Sequence, residues 1–274
     1  MELTRIALHS VPRSGSTWVG SIFDSSPNTE YRFQPLFSYT HKGQIGEEAS
    51  LEEIICFFKD IRETNDSFVL QEDSKTKQHI PQFVKENPSH LVYKEVRYHN
   101  IIENLLLKDN EIKIVGIIRN PFSTINSWLK APKEFKEELG WKIEEEWKGA
   151  SKKNLNKPEE YNGYDKWKEV AILFLNFQKK YPNQFYLLSY SELLENSEHE
   201  IRKVFDFCNL EFAKQTKHFI EKSTSSTLKD KDAYSVYNSK DKDDAWKKSL
   251  PSYIKEEIIN DPEFKKLNKY FKWI

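Results

Sequence analysis

Cysteine, glycine and any excess of charge are what this sequence lacks, and each shortage narrows what the chain can be. Two cysteines, Cys56 and Cys208, cannot build a disulfide framework or a cysteine metal site, and they read as reduced structural residues. No apolar run approaches the ~20 residues of a membrane-spanning helix. The opening residues Met1-Glu2-Leu3-Thr4-Arg5 lack the basic-then-apolar layout of a secretion signal, so the expected location is the cytoplasm. Lys and Arg number 42 against 43 Asp and Glu, for a net charge of -1, so no whole-molecule field draws the chain to nucleic acid or an anionic membrane. Any anion site must therefore be local. The seven histidines form no triad and no ligand spacing, and read as surface or internally satisfied residues. Internal repeats and low-complexity segments are absent as well.

What is present suits a folded enzyme-sized unit. With 38% hydrophobic and 31% charged residues the chain can build a core under a well-solvated surface, and residues 1–274 read as one domain. Strand character falls at Thr4–His9, Ser67–Leu70, Leu91–Val96, Ile112–Ile118 and Gln184–Ser189. Helical spacing falls at Trp18–Phe23, Leu51–Ile61, Ile101–Leu106, after Pro121, at Asp165–Tyr181 and at Glu192–Leu194. Tyr31–Phe37 reads as an extended aromatic connection, Lys133–Lys148 as a charged helix or lid, and Lys152–Asn162 and Ser223–Lys242 as loops. The alternation predicts an α/β fold, a mostly parallel central sheet flanked by helices. Ligands in such sheets bind outside the carboxyl ends of the strands, which here carry Arg13, Asp73, Arg97, Arg119 and Tyr190.

Two of those ends carry chemistry. Val11-Pro12-Arg13-Ser14-Gly15-Ser16-Thr17-Trp18 joins the first strand to the first helix. Strand, small-residue turn and helix together aim backbone N–H groups at an anion, and Arg13 adds a planar charged fork. Ser14, Ser16 and Thr17 add hydroxyls, although an ordinary polar turn would also use small residues. The loop is not G-x-x-x-x-G-K-[ST], the usual triphosphate loop, because one glycine and an arginine replace two glycines and a lysine. At the second end, Arg119 and Ser127 lie about two helical turns apart and meet on one phosphate only if the intervening helix lies across it.

P-R-S-G-S-T-W, with a helix ending near Ser26-Pro27-Asn28, resembles the 5′-phosphosulfate loop of sulfotransferases, which use 3′-phosphoadenosine 5′-phosphosulfate (PAPS). Arginine at position 13 is closer to the carbohydrate branch than to the cytosolic small-molecule branch. Arg119, Pro121 and Ser127 resemble that family's 3′-phosphate site. Tyr31–Leu36, Leu91–Arg97, Tyr234–Ser239 and Trp246–Pro251 resemble further elements of the carbohydrate branch. Tyr190 resembles the tyrosine near the adenine. The resemblance implies a P-loop-like sulfotransferase fold and sulfonate transfer from PAPS, without a metal, to a hydroxyl or amine of a small-molecule or glycan acceptor, with carbohydrate preferred. The implied nucleotide ligands are Arg13, Ser14, Gly15, Ser16, Thr17, Trp18, Arg119, Ser127 and Tyr190.

The catalytic candidates are Arg13 for the leaving phosphate, Lys94 for the sulfonyl or bridging oxygen, and Glu95 for the acceptor proton. Glu95 enters because Gln34 stands where the resemblance expects a glutamate, and an amide is no base at neutral pH. His41 and Asp73 are the other base candidates, and strand alternation opposes Lys94 and Glu95 reaching one ligand. Two rival readings remain. A P-loop small-molecule kinase would want the missing lysine and a magnesium carboxylate, for which only Asp73 applies. A non-catalytic nucleotide-binding module would have kept the loops and lost its base.

Overall fold

The computed structural model describes residues 3–225, 235–237 and 243–274. Among them five strands form one all-parallel sheet: β1 (Thr4–Ser10), β2 (Thr29–Phe33), β3 (His90–Glu95), β4 (Lys113–Ile118) and β5 (Phe185–Ser189). The connections between them include α1 (Ser16–Asp24), α2 (Leu51–Arg62), α3 (Glu72–Thr76), α4 (Ile102–Lys108) and α5 (Pro121–Leu129). The central strands β1, β3 and β4 are apolar on both faces through most of their length because both faces are covered. Ile6, Leu8, Val92, Val115 and Ile117 pack in the layer of α1 and the helix Ser197–Cys208. Ala7, Leu91, Tyr93, Ile114 and Ile118 pack in the layer of α2, α4, α5 and the helix Gly163–Lys180. Gly116 lets that long helix approach β4, since a Cβ there would lie 2.6 Å from the rings of Phe174 and Phe185.

Sheet order β2-β3-β1-β4-β5 determines where a ligand fits. The chain leaves β1 toward β2 and leaves β4 toward β5, so the connections of these adjacent strands diverge. Their carboxyl ends flank a crevice, the topological switch point of an open parallel sheet. Arg13 follows one strand and Arg119 the other.

Several sequence expectations change. Ser67–Leu70 is no strand but a turn, with Asp66 Oδ1 accepting the N–H groups of Phe68 and Val69 and Asp66 O accepting that of Leu70. Asp73 consequently ends no strand; it lies in α3, 79% exposed in its side chain and paired with Lys77 at 2.8 Å. The extended stretch from Tyr31 contains the end of edge strand β2 and a 3₁₀ turn at Pro35–Phe37. Lys133–Lys148 holds two short pieces, Glu137–Leu139 and Ile143–Glu146, rather than one helix, and the first residues of the expected loop Lys152–Asn162 belong to a short helix, Ser151–Asn154. Most of the polar stretch Ser223–Lys242 lies outside the described residues, as do Tyr234, Asn238 and Ser239.

A buried ion pair ties the start of β1 to the segment before β4. Arg5 donates through Nε to Asp109 Oδ2 at 2.5 Å and through an Nη to Oδ1 at 2.9 Å, with both side chains almost fully buried. Asp109→Asn leaves the buried guanidinium without its counter-charge, which costs about 3–5 kcal/mol. Urea unfolding measures it, and Arg5→Met with Asp109→Leu together is expected to recover most of the loss. A single-variant loss below about 1 kcal/mol contradicts the assignment.

Candidate active site

The loop after β1 reaches α1 through left-handed backbone at Arg13 (φ 68°) and Gly15 (φ 81°). Arg13 is strained there, as any residue with a Cβ would be. Gly15 has a second reason, because a Cβ on it would lie 2.2 Å from Cε2 of Tyr190. No side chain caps α1, and its first turn holds no acidic residue. Val19 is the first residue of the helix to return a bond, to Gly15 O at 3.2 Å, so the helical N–H groups ahead of it have no backbone partner among the described residues. The hydroxyl of Ser14 is buried and has no partner among the described residues. An uncapped helix start beside an unsatisfied buried donor is fitted to an anion.

Arg119 closes the crevice from β4. Asn120 caps α5 by accepting the N–H of Phe122 at 2.9 Å, and Pro121 takes the first helical position. This start lays α5 so that Ser127 Oγ accepts from Arg13 Nε at 3.1 Å. Arg119 donates through one Nη to Arg13 O at 2.7 Å, and through Nε and the other Nη to both carboxylate oxygens of Asp243, the Nε bond being 2.9 Å. Trp167 Nε1 holds the Arg119 carbonyl at 3.0 Å. The Tyr190 ring packs between Gly15 and the guanidinium, whose carbon lies 5.0 Å from the ring centroid. Trp18 meets Tyr190 edge-on at 6.1 Å and donates to Ser223 Oγ at 2.8 Å.

At the neighbouring end of β3, Lys94 and Glu95 point to opposite sides of the sheet. Lys94 lies across from Leu8 and Phe33, on the layer of α1, and Glu95 lies across from His9, on the layer of α2. Lys94 is 1% exposed, its Nζ sits 4.1 Å above the Phe33 ring, and that ammonium makes no hydrogen bond or ion pair among the described residues. Burial brings its ammonium down to about 7, with Glu95 pulling the other way. Burial likewise pushes the Glu95 carboxyl up, against the N–H of Leu36 that its Oε1 accepts at 2.8 Å. Its Oε2 has no partner among the described residues.

Gln34, left-handed at φ 43°, donates its N–H to Lys94 O at 2.8 Å, and its amide oxygen lies 3.5 Å from an Nη of Arg97. Arg97 is ion-paired to Glu160 at 2.9 Å and stacks 4.1 Å from the centre of Phe37. Phe33 meets Phe68 at 5.3 Å and Phe68 meets Phe37 at 5.8 Å, with Phe37 and Phe68 being 46% and 39% exposed.

The structure thus brings Arg13, Ser14, Gly15, Trp18, Arg119, Ser127 and Tyr190 together, with Ser16 and Thr17 in the first turn of α1. Lys94 stands on the adjacent strand facing the same layer as α1. Of the other base candidates, His41 is held at both ring nitrogens, by Gln44 and Thr64 at 2.9 Å each, and Asp73 is out on α3. His9 and His99 face one another through Nδ1 at 3.1 Å, fully buried, and burial lowers His9 to about 3, so it stays neutral. Asp243, Trp167 and Ser223 are site contacts that sequence reasoning missed. Asp243 sits in Lys240-Asp241-Lys242-Asp243-Asp244, where alternating charge reads as solvated surface.

Comparison with known proteins agrees with this architecture. Mouse sulfotransferase SULT7A1 complexed with PAP has 14% identity and a TM-score of 0.55, over 98% of this chain and 90% of that one. The sulfotransferase domain of the Synechococcus PCC 7002 olefin synthase has 14% identity and a TM-score of 0.57, over 100% and 96%. Retinol dehydratase in complex with androsterone and the inactive cofactor PAP has 12% identity and a TM-score of 0.53, over 99% and 81%. At such identities these structures share the fold. No curated protein sequence matches the chain. The profile described as the sulfotransferase domain matches residues 3–268, nearly the whole length, and the protein belongs to that family.

Proposed function

We propose that the crevice between β1 and β4 binds PAPS and that the chain transfers its sulfonyl group to an acceptor hydroxyl or amine, with a carbohydrate hydroxyl preferred. The carrying observation is that two anion-fitted centres share one crevice. The uncapped start of α1 with Arg13 and Ser14 suits the 5′-phosphosulfate, and Arg119 with Ser127 suits the 3′-phosphate. Two of the structural neighbours hold PAP, which supports the same reading. The rival kinase reading loses its magnesium carboxylate, since Asp73 stands exposed on α3.

In this reading the acceptor oxygen attacks sulfur, the bond from sulfur to the bridging phosphate oxygen breaks, and 3′,5′-bisphosphoadenosine leaves. Negative charge grows on the leaving phosphate, where Arg13 and the first N–H groups of α1 stabilise it. Lys94, desolvated and unpaired, balances charge on the bridging or sulfonyl oxygens. The acceptor proton is assigned to Glu95, whose unpartnered Oε2 suits it better than the doubly bonded His41 or the exposed Asp73. Glu95 faces the side of the sheet away from Lys94, so the acceptor must reach it around the end of β3, and it acts as a base only in its ionised form. Phe33, Phe37 and Phe68 offer the apolar face of a ring-bearing acceptor a surface to stack on, beside Gln34. The carbohydrate preference itself comes from the loop and strand resemblances.

Single-turnover transfer of radiolabelled sulfonate from PAPS to a glycan and small-alcohol panel tests the reaction. Arg13→Ala is expected to lower the rate by about 10²–10³. Glu95→Gln is expected to lower it by about 10²–10⁴ with bisphosphoadenosine affinity nearly unchanged. Wild-type rates in either variant remove that residue from the mechanism, and absence of transfer with every acceptor favours a binding module.

Lys94 adds a pH test. A lysine lowered to about 7 is mostly neutral at pH 8, and a bound phosphate anion favours its charged form. Binding of bisphosphoadenosine at pH 8 is therefore expected to take up a proton, and affinity to fall by up to about tenfold per pH unit above 7. Calorimetry in buffers of different ionisation enthalpy reads the uptake. Lys94→Met should abolish it, and equal uptake by that variant would show that the proton goes elsewhere.

A further inference from the structure

Arg119 already holds an anion. Its Nε and one Nη bond both oxygens of the Asp243 carboxylate, a bidentate pair of the kind a phosphate also makes. This carboxylate lies where the PAPS reading puts the 3′-phosphate. We propose that Asp243 is a tethered stand-in for that phosphate and a determinant of nucleotide affinity and specificity. Binding of a 3′-phosphorylated nucleotide exchanges one anion for the other, whereas a nucleotide lacking that phosphate leaves Asp243 in place. The inference rests on the assignment of Arg119 to the 3′-phosphate.

Three features of the site carry it. First, the Arg119 side chain is only 5% exposed, and a buried guanidinium without a counter-ion is strongly destabilised. Some anion must sit there in the nucleotide-free protein, and Asp243 supplies it. Second, the backbone and the carboxylate of Asp243 are held by different groups. Its carbonyl accepts from Ser123 Oγ at 2.9 Å and from Trp246 Nε1 at 3.1 Å, and the Trp246 ring stacks on Phe122 at 4.5 Å. Among the described residues, Arg119 alone holds the carboxylate. Rotation of one side chain, itself 13% exposed, therefore clears the fork while the backbone stays fixed. Third, the remaining Nη stays on Arg13 O at 2.7 Å, so the 5′ loop keeps its brace during the exchange.

The consequence is an affinity set by competition. A phosphate dianion with three oxygens outbids a single carboxylate, but the intrinsic affinity is divided by the share of molecules in which Asp243 has let go. If that share is about one in ten, the observed affinity is about tenfold weaker than the site could give. Weaker holding of the 3′-phosphate also favours release of bisphosphoadenosine after transfer.

The test is calorimetric titration of the full chain with 3′,5′-bisphosphoadenosine and with 5′-AMP. It compares wild type with Asp243→Asn, which keeps the shape and removes the charge, and with Asp243→Ala. Thermal unfolding without nucleotide is read alongside. The proposal expects bisphosphoadenosine to bind about tenfold tighter in both variants, AMP to stay within about twofold, and the nucleotide-free unfolding temperature to fall. A merely structural carboxylate would lower stability and affinity together. Bisphosphoadenosine binding that is unchanged or weaker in the variants, while still tighter than AMP in wild type, overturns the proposal and leaves the PAPS reading standing. Equal binding of the two nucleotides in all three proteins overturns the assignment of Arg119 and the proposal with it.

Discussion

One guanidinium, buried at the carboxyl end of β4, joins three distant parts of the chain. Arg119 braces the carbonyl of Arg13, pairs with Asp243 more than a hundred residues later, and lies against the Tyr190 ring that follows β5. Its own carbonyl is fixed by Trp167 from the long helix. Removed from water, these bonds are stronger than exposed ones and penalise any rearrangement that leaves a member unpaired. The loop after β1 and the start of α5 are thus fixed by the protein's own contacts, the preorganisation that the proposed charge stabilisation requires.

The parallel sheet accounts for the rest of the arrangement. Its strands deliver side chains to one edge, and at that edge the backbone bends sharply. Arg13, Gln34 and Tyr98, each soon after the end of β1, β2 or β3, all have positive φ. Residues other than glycine in such conformations cost about 1–3 kcal/mol each and gather at sites where the geometry is used. Alternation along β3 separates Lys94 from Glu95, so the groups proposed to balance charge and to accept the proton face different sides of the sheet. Burial shifts the balance of each toward its neutral form.

Much of this was legible in the sequence where the signal is local. The β-branched run of β4, the small-residue turn at Arg13 and the Arg119-Asn120-Pro121 helix start each carry their own instructions in a few residues. Edge strand β2, Thr-Glu-Tyr-Arg-Phe, was harder, because Arg32 is buried there. It is satisfied by the carbonyl of Ile61 at 2.6 Å and by that of Tyr31 at 3.0 Å, a solution that only the fold provides. Ser67–Leu70 failed the other way. Its apolar residues suit a strand, but Asp66 bonds three backbone N–H groups and winds the segment into a turn. Asp243 was invisible because nothing in a run of alternating charges says which carboxylate meets a buried arginine.

The most direct test of the whole account is a crystal structure with 3′,5′-bisphosphoadenosine bound. The account expects the 5′-phosphate against the first N–H groups of α1 and Arg13. It expects the 3′-phosphate on Arg119 and Ser127, with the Asp243 carboxylate turned away and the Arg119 bond to the Arg13 carbonyl kept. A nucleotide bound outside the crevice between β1 and β4, or a 3′-phosphate in solvent while Arg119 still holds Asp243, would contradict it.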